Sequence, residues 1–157
     1  MLGGLRSLTD EIRQLPGPGG ETFYDVAGAP LPAENVAAPP RLLPMWDSIL
    51  LAYAKRTRVV PAQHRPIVFR RNGDVLPTLL VDGYVAGVWR VVDAGVEATA
   101  FEPLDEVQWQ GLATEAAALL DLLGKRERFA YRRYHHWWDK GLPAADVRVL
   151  PGSSKGH

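Results

Sequence analysis

The stretch VLPTLLVDGYVAGVWRVVDAGVEATAF, from Val75 to Phe101, decides the fold. Three runs rich in β-branched and aromatic residues, Val75 to Val81, Tyr84 to Val92 and Val96 to Phe101, are separated by Asp82-Gly83 and by Asp93-Ala94-Gly95. Asp-Gly tolerates the positive φ angles of a tight hairpin, so consecutive runs joined this way predict an antiparallel β-meander. Pro77 cannot donate a ladder hydrogen bond, which makes the first run an edge strand or one carrying a bulge. Gly87 marks either a close backbone approach or a second bulge.

Helices are expected on both sides of the meander. Downstream, Asp105 is placed to cap a helix with the stripe Leu112, Ala116, Leu119, Leu120 and Leu123, with Gln108 at the capping-box position and Gly124 as its stop. The segment RERFAYRRYHHWWDK after it suits an amphipathic helix with Ala130, Tyr134, Trp137 and Trp138 on one side. Upstream, Met45, Trp46, Ile49, Leu50 and Tyr53 recur at three and four, and Pro44 fits a first helical position. The predicted helix over Pro44 to Ala54 would deliver Lys55 and Arg56 at its C-terminus. Gln63 to Arg71 is either a short helix with Pro66 in its first turn or a strand of an Asn72-Gly73 hairpin, with the helix preferred.

Before these, residues 27–40 are rich in Ala and Pro and read as an extended linker. Leu5, Leu8, Ile12 and Leu15 have helical spacing, Pro16 to Gly20 breaks it, and Glu21 to Val26 reads as a strand. Residues 1–26 are therefore expected to be a partial winged-helix element, residues 41–150 an α+β domain, and residues 151–157 a disordered tail. The expected class is α+β: an antiparallel meander packed with helices.

With 157 residues, 46% hydrophobic and 23% charged, the chain has the size and composition of one ordinary globular domain. It contains no cysteine, which excludes disulfides, thiolate metal sites and cysteine nucleophiles. The first sixteen residues include Arg6, Asp10, Glu11 and Arg13, unlike the apolar core of a secretory signal, and a cytoplasmic location with no membrane segment is expected. Net charge is zero, yet it is segregated. Between Ser48 and Gly73 there is no Asp or Glu, whereas Asp93 to Gly124 carries seven carboxylates and no Lys or Arg. An acid-free basic segment attracts a phosphate backbone; its bland counterpart is a solvated face that pairs with the acidic block.

Leu43-Pro44 with Asp47, Lys55-Arg56-Thr57-Arg58-Val59, Val68-Phe69-Arg70 with Asn72-Gly73, Val75-Leu76-Pro77, Val81-Asp82-Gly83 and Ala86-Gly87-Val88-Trp89-Arg90 together resemble the bacterial winged-helix family that includes interstrand-crosslink DNA glycosylases. The resemblance runs from about Phe23 to Leu123. It implies the C-terminal part of a longer protein whose upstream tandem winged helices carry a glutamine-based catalytic motif. Gln108-Trp109-Gln110 repeats the spelling of that motif, but in a helix where the family has a structural element, so no catalytic role is expected for it.

The function expected from the residues and the resemblance is a DNA-binding module without catalytic activity of its own. Its nucleic-acid-binding residues are Lys55, Arg56, Arg58, Arg65, Arg70, Arg71 and Arg90, with duplex DNA as partner, an upstream winged-helix domain or catalytic subunit beside it, and no cofactor or metal. All but Arg65 are further expected to be exposed on one face. Two alternatives stay open: an intact small DNA glycosylase or nucleoside-acting enzyme, and a homodimeric assembly protein. Asp47, the acid nearest the basic segment, reads as a helix cap rather than a base.

Overall fold

The computed structural model describes residues 8, 10–17, 19–33, 35–124 and 132–152. The chain divides into two compact units, Met1–Val36 and Ala37–His157.

In the first unit, β1 (Ile12–Pro16) and β2 (Thr22–Val26) form an antiparallel hairpin with Ile12 opposite Val26 and Pro16 opposite Thr22. This corrects the helix expected over Leu5 to Leu15, of which residues 5–7 and 9 lie outside the described residues. So short a helix is marginal by itself, whereas a strand facing Thr-Phe-Tyr-Asp-Val gains cross-strand pairs. One is explicit: Arg13 lies opposite Asp25 and its Nη2 donates to Asp25 Oδ2 at 2.6 Å. That guanidinium lowers the Asp25 pKa below its ordinary value.

The second unit is built on a five-stranded antiparallel sheet in the order β3 (Arg41–Leu43), β4 (Thr78–Val81), β5 (Tyr84–Val92), β6 (Gly95–Ala100), β7 (Asp146–Leu150). The meander expected from Val75 to Phe101 is its centre, and β3 and β7 extend it on either side. The hairpin turn is as the dipeptide required, with φ of 51° at Asp82 and 80° at Gly83. Because β3 pairs with β4, the Pro77 run is not an edge. Pro77 instead lies just outside the paired residues, where its missing N–H costs no ladder bond, and the β4–β5 register shifts between Leu79 and Leu80. Gly87 is the close approach: a Cβ there would collide with the Thr99 carbonyl and stand 2.8 Å from Leu79 Cδ1.

Strand alternation sorts the core into two faces. Trp89, Val91, Val96, Ala98 and Ala100 pack against Trp109, Leu112, Ala116 and Leu120 of helix α3 (Glu106–Leu123), and Leu42 and Leu150 join them from the outer strands. On the other face Val88 packs with Leu76 and Tyr134, and Leu43, Leu80 and Val85 pack with Leu50, Val60, Val68 and Val75. Trp89 is fully buried and its Nε1 donates to the Leu43 carbonyl at 2.9 Å, tying β5 to β3.

Among the described residues, single-turn helices α1 (Ser48–Leu51), α2 (Arg65–Val68) and α4 (His136–Asp139) cover the second face. The expected helix over Pro44 to Ala54 is therefore reduced to four residues. Trp46 has φ of 63°, which no helix accommodates, and Asp47 starts the helix after it by accepting from Ile49 N at 2.8 Å. The helix with Pro66 in its first turn forms, and Phe69 bridges to Val75 beyond it. In place of the long helix expected over Arg126 to Lys140, residues 132–140 make tight turns and α4, while 125–131, with Ala130, lie outside the described residues. The expected aromatic docking occurs all the same, with Tyr134 buried and Trp137 and Trp138 packed beside Leu76 and Val88. Strand β7 was not legible in the sequence.

Candidate nucleic-acid interface

The basic stretch occupies consecutive short elements of the second unit. After α1 the chain makes a 3-10 turn, Arg56–Arg58. Lys55, Arg56 and Arg58, together with Ile49, Tyr53 and Val59, line a concavity of about 130 Å³. Arg56 is half-buried, because its Nε donates to the Leu50 carbonyl at 2.8 Å and its guanidinium lies 5.0 Å from the Phe69 ring centroid. Phe69 in turn lines a shallow depression with Ala62, Arg65 and Pro66. One aromatic ring therefore joins two neighbouring hollows that carry four of the sequence-selected cations. Lys55, Arg58, Arg65 and Arg71 are exposed.

Arg70 and Arg90, like the half-buried Arg56, depart from the expectation of exposure. Arg90 lies directly across the β5–β6 ladder from Glu97, and its Nε and Nη2 donate to the two carboxylate oxygens at 2.8 and 2.9 Å. Such a two-pronged pair satisfies most of its charge and removes it from the set of free phosphate ligands. Arg70 is half-buried with its guanidinium 4.5 Å from the Trp137 ring centroid, and burial lowers its pKa. Burial also opposes ionisation of the neighbouring Asp74. Hydrogen bonds from Asn72 and Trp137, with Arg133 and His136 nearby, outweigh it and hold the Asp74 pKa below its usual range.

Four acidic residues of the 93–121 block pair with arginines outside the Ser48–Gly73 segment, whereas Glu102 lies beside His64 within it. Glu97 takes Arg90, Glu115 takes Arg41, Glu106 takes Arg148 and Asp93 takes Arg132. Among the described residues, no carboxylate lies within ion-pair distance of Arg65, Arg70 or Arg71. The bland reading, in which the basic segment exists to pair with the acidic one, is not met at these positions.

Gln108 is occupied structurally. Its Oε1 accepts from Asp105 N at 3.0 Å, and Asp105 Oδ1 accepts from Gln108 N at 2.8 Å, a complete capping box. Gln110 is exposed on the same helix. Asp47 is likewise a cap. Residues that sequence reasoning missed are His64 and Glu102. His64 is buried, with Nδ1 3.2 Å from the Val85 carbonyl and Nε2 3.6 Å from Glu102 Oε1, beside a depression of about 300 Å³. No local pattern links positions so far apart in sequence. Among the described residues no group of three His, Cys, Asp or Glu side chains is placed to hold a metal ion, and no helix is long and apolar enough to cross a membrane.

The fold and site together define an α+β antiparallel-sheet domain whose basic surface comes from a segment that contains no Asp or Glu of its own. The chain belongs to the AlkZ-like DNA glycosylase family, whose model matches residues 3–122. The interstrand DNA cross-link repair glycosylase of Streptomyces sahachiroi is 36% identical over 78 residues, which is 49% of this chain and 21% of that protein. The chain thus spans about a fifth of that relative's length. The solved structure of Streptomyces sahachiroi DNA glycosylase AlkZ is similar with a TM-score of 0.60 at 26% identity, covering 74% of this chain and 32% of the other.

Proposed function

We propose that this chain is a DNA-contacting module of the C-terminal part of a DNA repair glycosylase, acting in the cytoplasm on duplex DNA beside an upstream winged-helix catalytic region and supplying no catalytic group itself. The observation that carries this reading is the basic surface: Lys55, Arg58, Arg65 and Arg71 are exposed on consecutive short elements of a segment that contains no acid. Cations arranged along a surface meet successive phosphates and bind without reading bases. The hairpin of β1 and β2 has the shape of a wing, which supports a winged-helix origin for the first unit. The capping role of Gln108 supports the absence of catalysis, since an amide that holds a helix end is not available to position water. Binding of the chain to a random-sequence duplex across a salt series tests the reading. Affinity indifferent to salt would exclude phosphate contacts.

A second reading, an intact enzyme, is favoured by the His64 and Glu102 pair beside its depression, which also exposes Asp82 and Gln63. A buried imidazole next to a carboxylate at a concavity has the ingredients for activating water. Release of base from crosslinked or alkylated DNA by the chain, lost in Glu102→Gln, would establish it.

A further inference from the structure

Trp137 and Lys140 lie beyond residue 122, where the family match ends, yet the fold brings them to the basic stretch. The Arg70 guanidinium and the Lys140 ammonium each lie 4.5 Å from the centroid of the same indole, that of Trp137. The indole is fixed in turn: its Nε1 donates to Asp74 Oδ2 at 2.9 Å, and that oxygen also accepts from Asn72 Nδ2 at 3.0 Å. Asp74 is therefore engaged by the ring edge and the Asn72-Gly73 turn. Arg70 Nε is buried and finds no hydrogen-bond partner, and among the described residues no carboxylate pairs with Arg70 or Lys140.

Two cations gathered on one ring, with the Asp74 carboxylate engaged at the ring edge rather than paired with either of them, are electrostatically incomplete. The ring quadrupole offsets part of the cost of desolvating Arg70, and a bound anion would offset more. The pair of donors also has a chemical preference. A guanidinium offers a planar fork and an ammonium a movable point charge, a combination that fits a phosphate held from two directions, while the indole offers an apolar floor for the adjoining sugar or base.

We propose that Arg70 and Lys140, gathered at Trp137, form a seat for one phosphodiester group of DNA, half of it supplied by the family-matched region and half by the segment that follows. This rests on the DNA-contacting reading above and extends it to a part of the surface that reading does not use. Arg65 and Arg71, exposed on either side of Arg70 in the chain, favour a phosphate strand over an isolated acidic side chain as the occupant.

The test follows the Trp137 indole N–H resonance of the ¹⁵N-labelled full chain, identified by its loss in Trp137→Phe. Inorganic phosphate, titrated against chloride at matched ionic strength, is expected to shift this resonance saturably. Arg70→Gln and Lys140→Gln should each abolish the shift while the Trp89 and Trp109 indole resonances stay in place and report an intact core. In a parallel titration with a 16-base-pair duplex, Lys140→Gln should lower the slope of log affinity against log salt by about one, the value of a single phosphate contact. A Trp137 resonance unmoved by phosphate overturns the seat. So does a resonance shifted by a poly-glutamate peptide but not by phosphate, which would assign the cluster to an acidic protein segment. If Arg65→Ala lowers the slope and Lys140→Gln does not, the seat falls and the DNA-contacting reading stands. If phosphate shifts Trp137 but the wild-type chain binds no duplex, the DNA-contacting reading falls and DNA is removed as the source of the phosphate.

Discussion

Replacing Arg58 and Arg65 together by alanine tests the phosphate-binding argument on two exposed cations. Both side chains are exposed, and they line separate hollows, one with Lys55 and Arg56, the other with Pro66 and Phe69. Arg56 is the wrong choice for this purpose, because its Nε holds the Leu50 carbonyl and its guanidinium covers Phe69, so its loss would disturb α1 as well. Each phosphate contact contributes about 0.9 to the slope of log affinity against log salt. If four to six cations of this surface engage, the wild-type affinity for a duplex should fall by roughly two to three powers of ten between 50 and 200 mM salt. Removing two contacts should flatten the slope by about 1.8, so that the mutant loses roughly tenfold less affinity than the wild type over the same range. The loss should be uniform across sequences, since phosphate contacts carry no base information. Fluorescence anisotropy of a labelled duplex at five salt concentrations reads both quantities, and a urea melt of the mutant separates any change in stability from the change in binding. A mutant whose slope equals that of the wild type would refute the assignment of these two arginines to phosphates.

Gln108→Ala removes one limb of the capping box and is expected to cost about 0.5–1 kcal/mol in a urea melt while leaving duplex affinity unaltered; a loss of DNA affinity or of glycosylase activity in the folded variant would mean that the helix-end reading is wrong. The Arg90 and Glu97 pair, half-buried and two-pronged, should show a coupling of about 1 kcal/mol in a double-mutant cycle on stability, and Arg90→Ala should leave the salt slope unchanged. Asp74 titrates below its ordinary value of 3.8, so its ionised form stabilises the fold above the unfolded value and that contribution disappears as pH falls through the lower folded value. Asp74→Asn should therefore flatten the acid side of the stability profile below about pH 4, as followed by thermal melts; an unchanged profile would show that the Trp137 and Asn72 hydrogen bonds do not favour the carboxylate.

The meander from Val75 to Phe101 was readable in advance because its information is local. Asp82-Gly83 sets the turn and β-branched residues fill the strands, so neighbouring segments specify each other without help from the rest of the chain. The capped helix Glu106–Leu123 was readable for the same reason, its box closing over three residues and its stripe repeating every turn. Strands β3 and β7 were not, because three residues beside a proline pair and five residues after a basic segment have no pattern of their own and become strands only where the edges of a finished sheet offer hydrogen bonds. The segment Ile12–Pro16 shows the opposite hazard. Helical spacing over a few residues was outweighed by pairing with Thr22–Val26, a contact that spacing does not report.

Charge followed the same division. The absence of any acid between Ser48 and Gly73 is a property of the sequence and marked its cations as a group, of which Lys55, Arg58, Arg65 and Arg71 are exposed and Arg56 and Arg70 are half-buried. Which arginines remain available to a ligand was decided by tertiary neighbours. Strand register places Arg90 across from Glu97, and the return of the chain at residue 137 places an indole against Arg70. Electrostatic availability depends on distances of a few ångströms between residues tens of positions apart, and those distances exist only once the sheet has assembled.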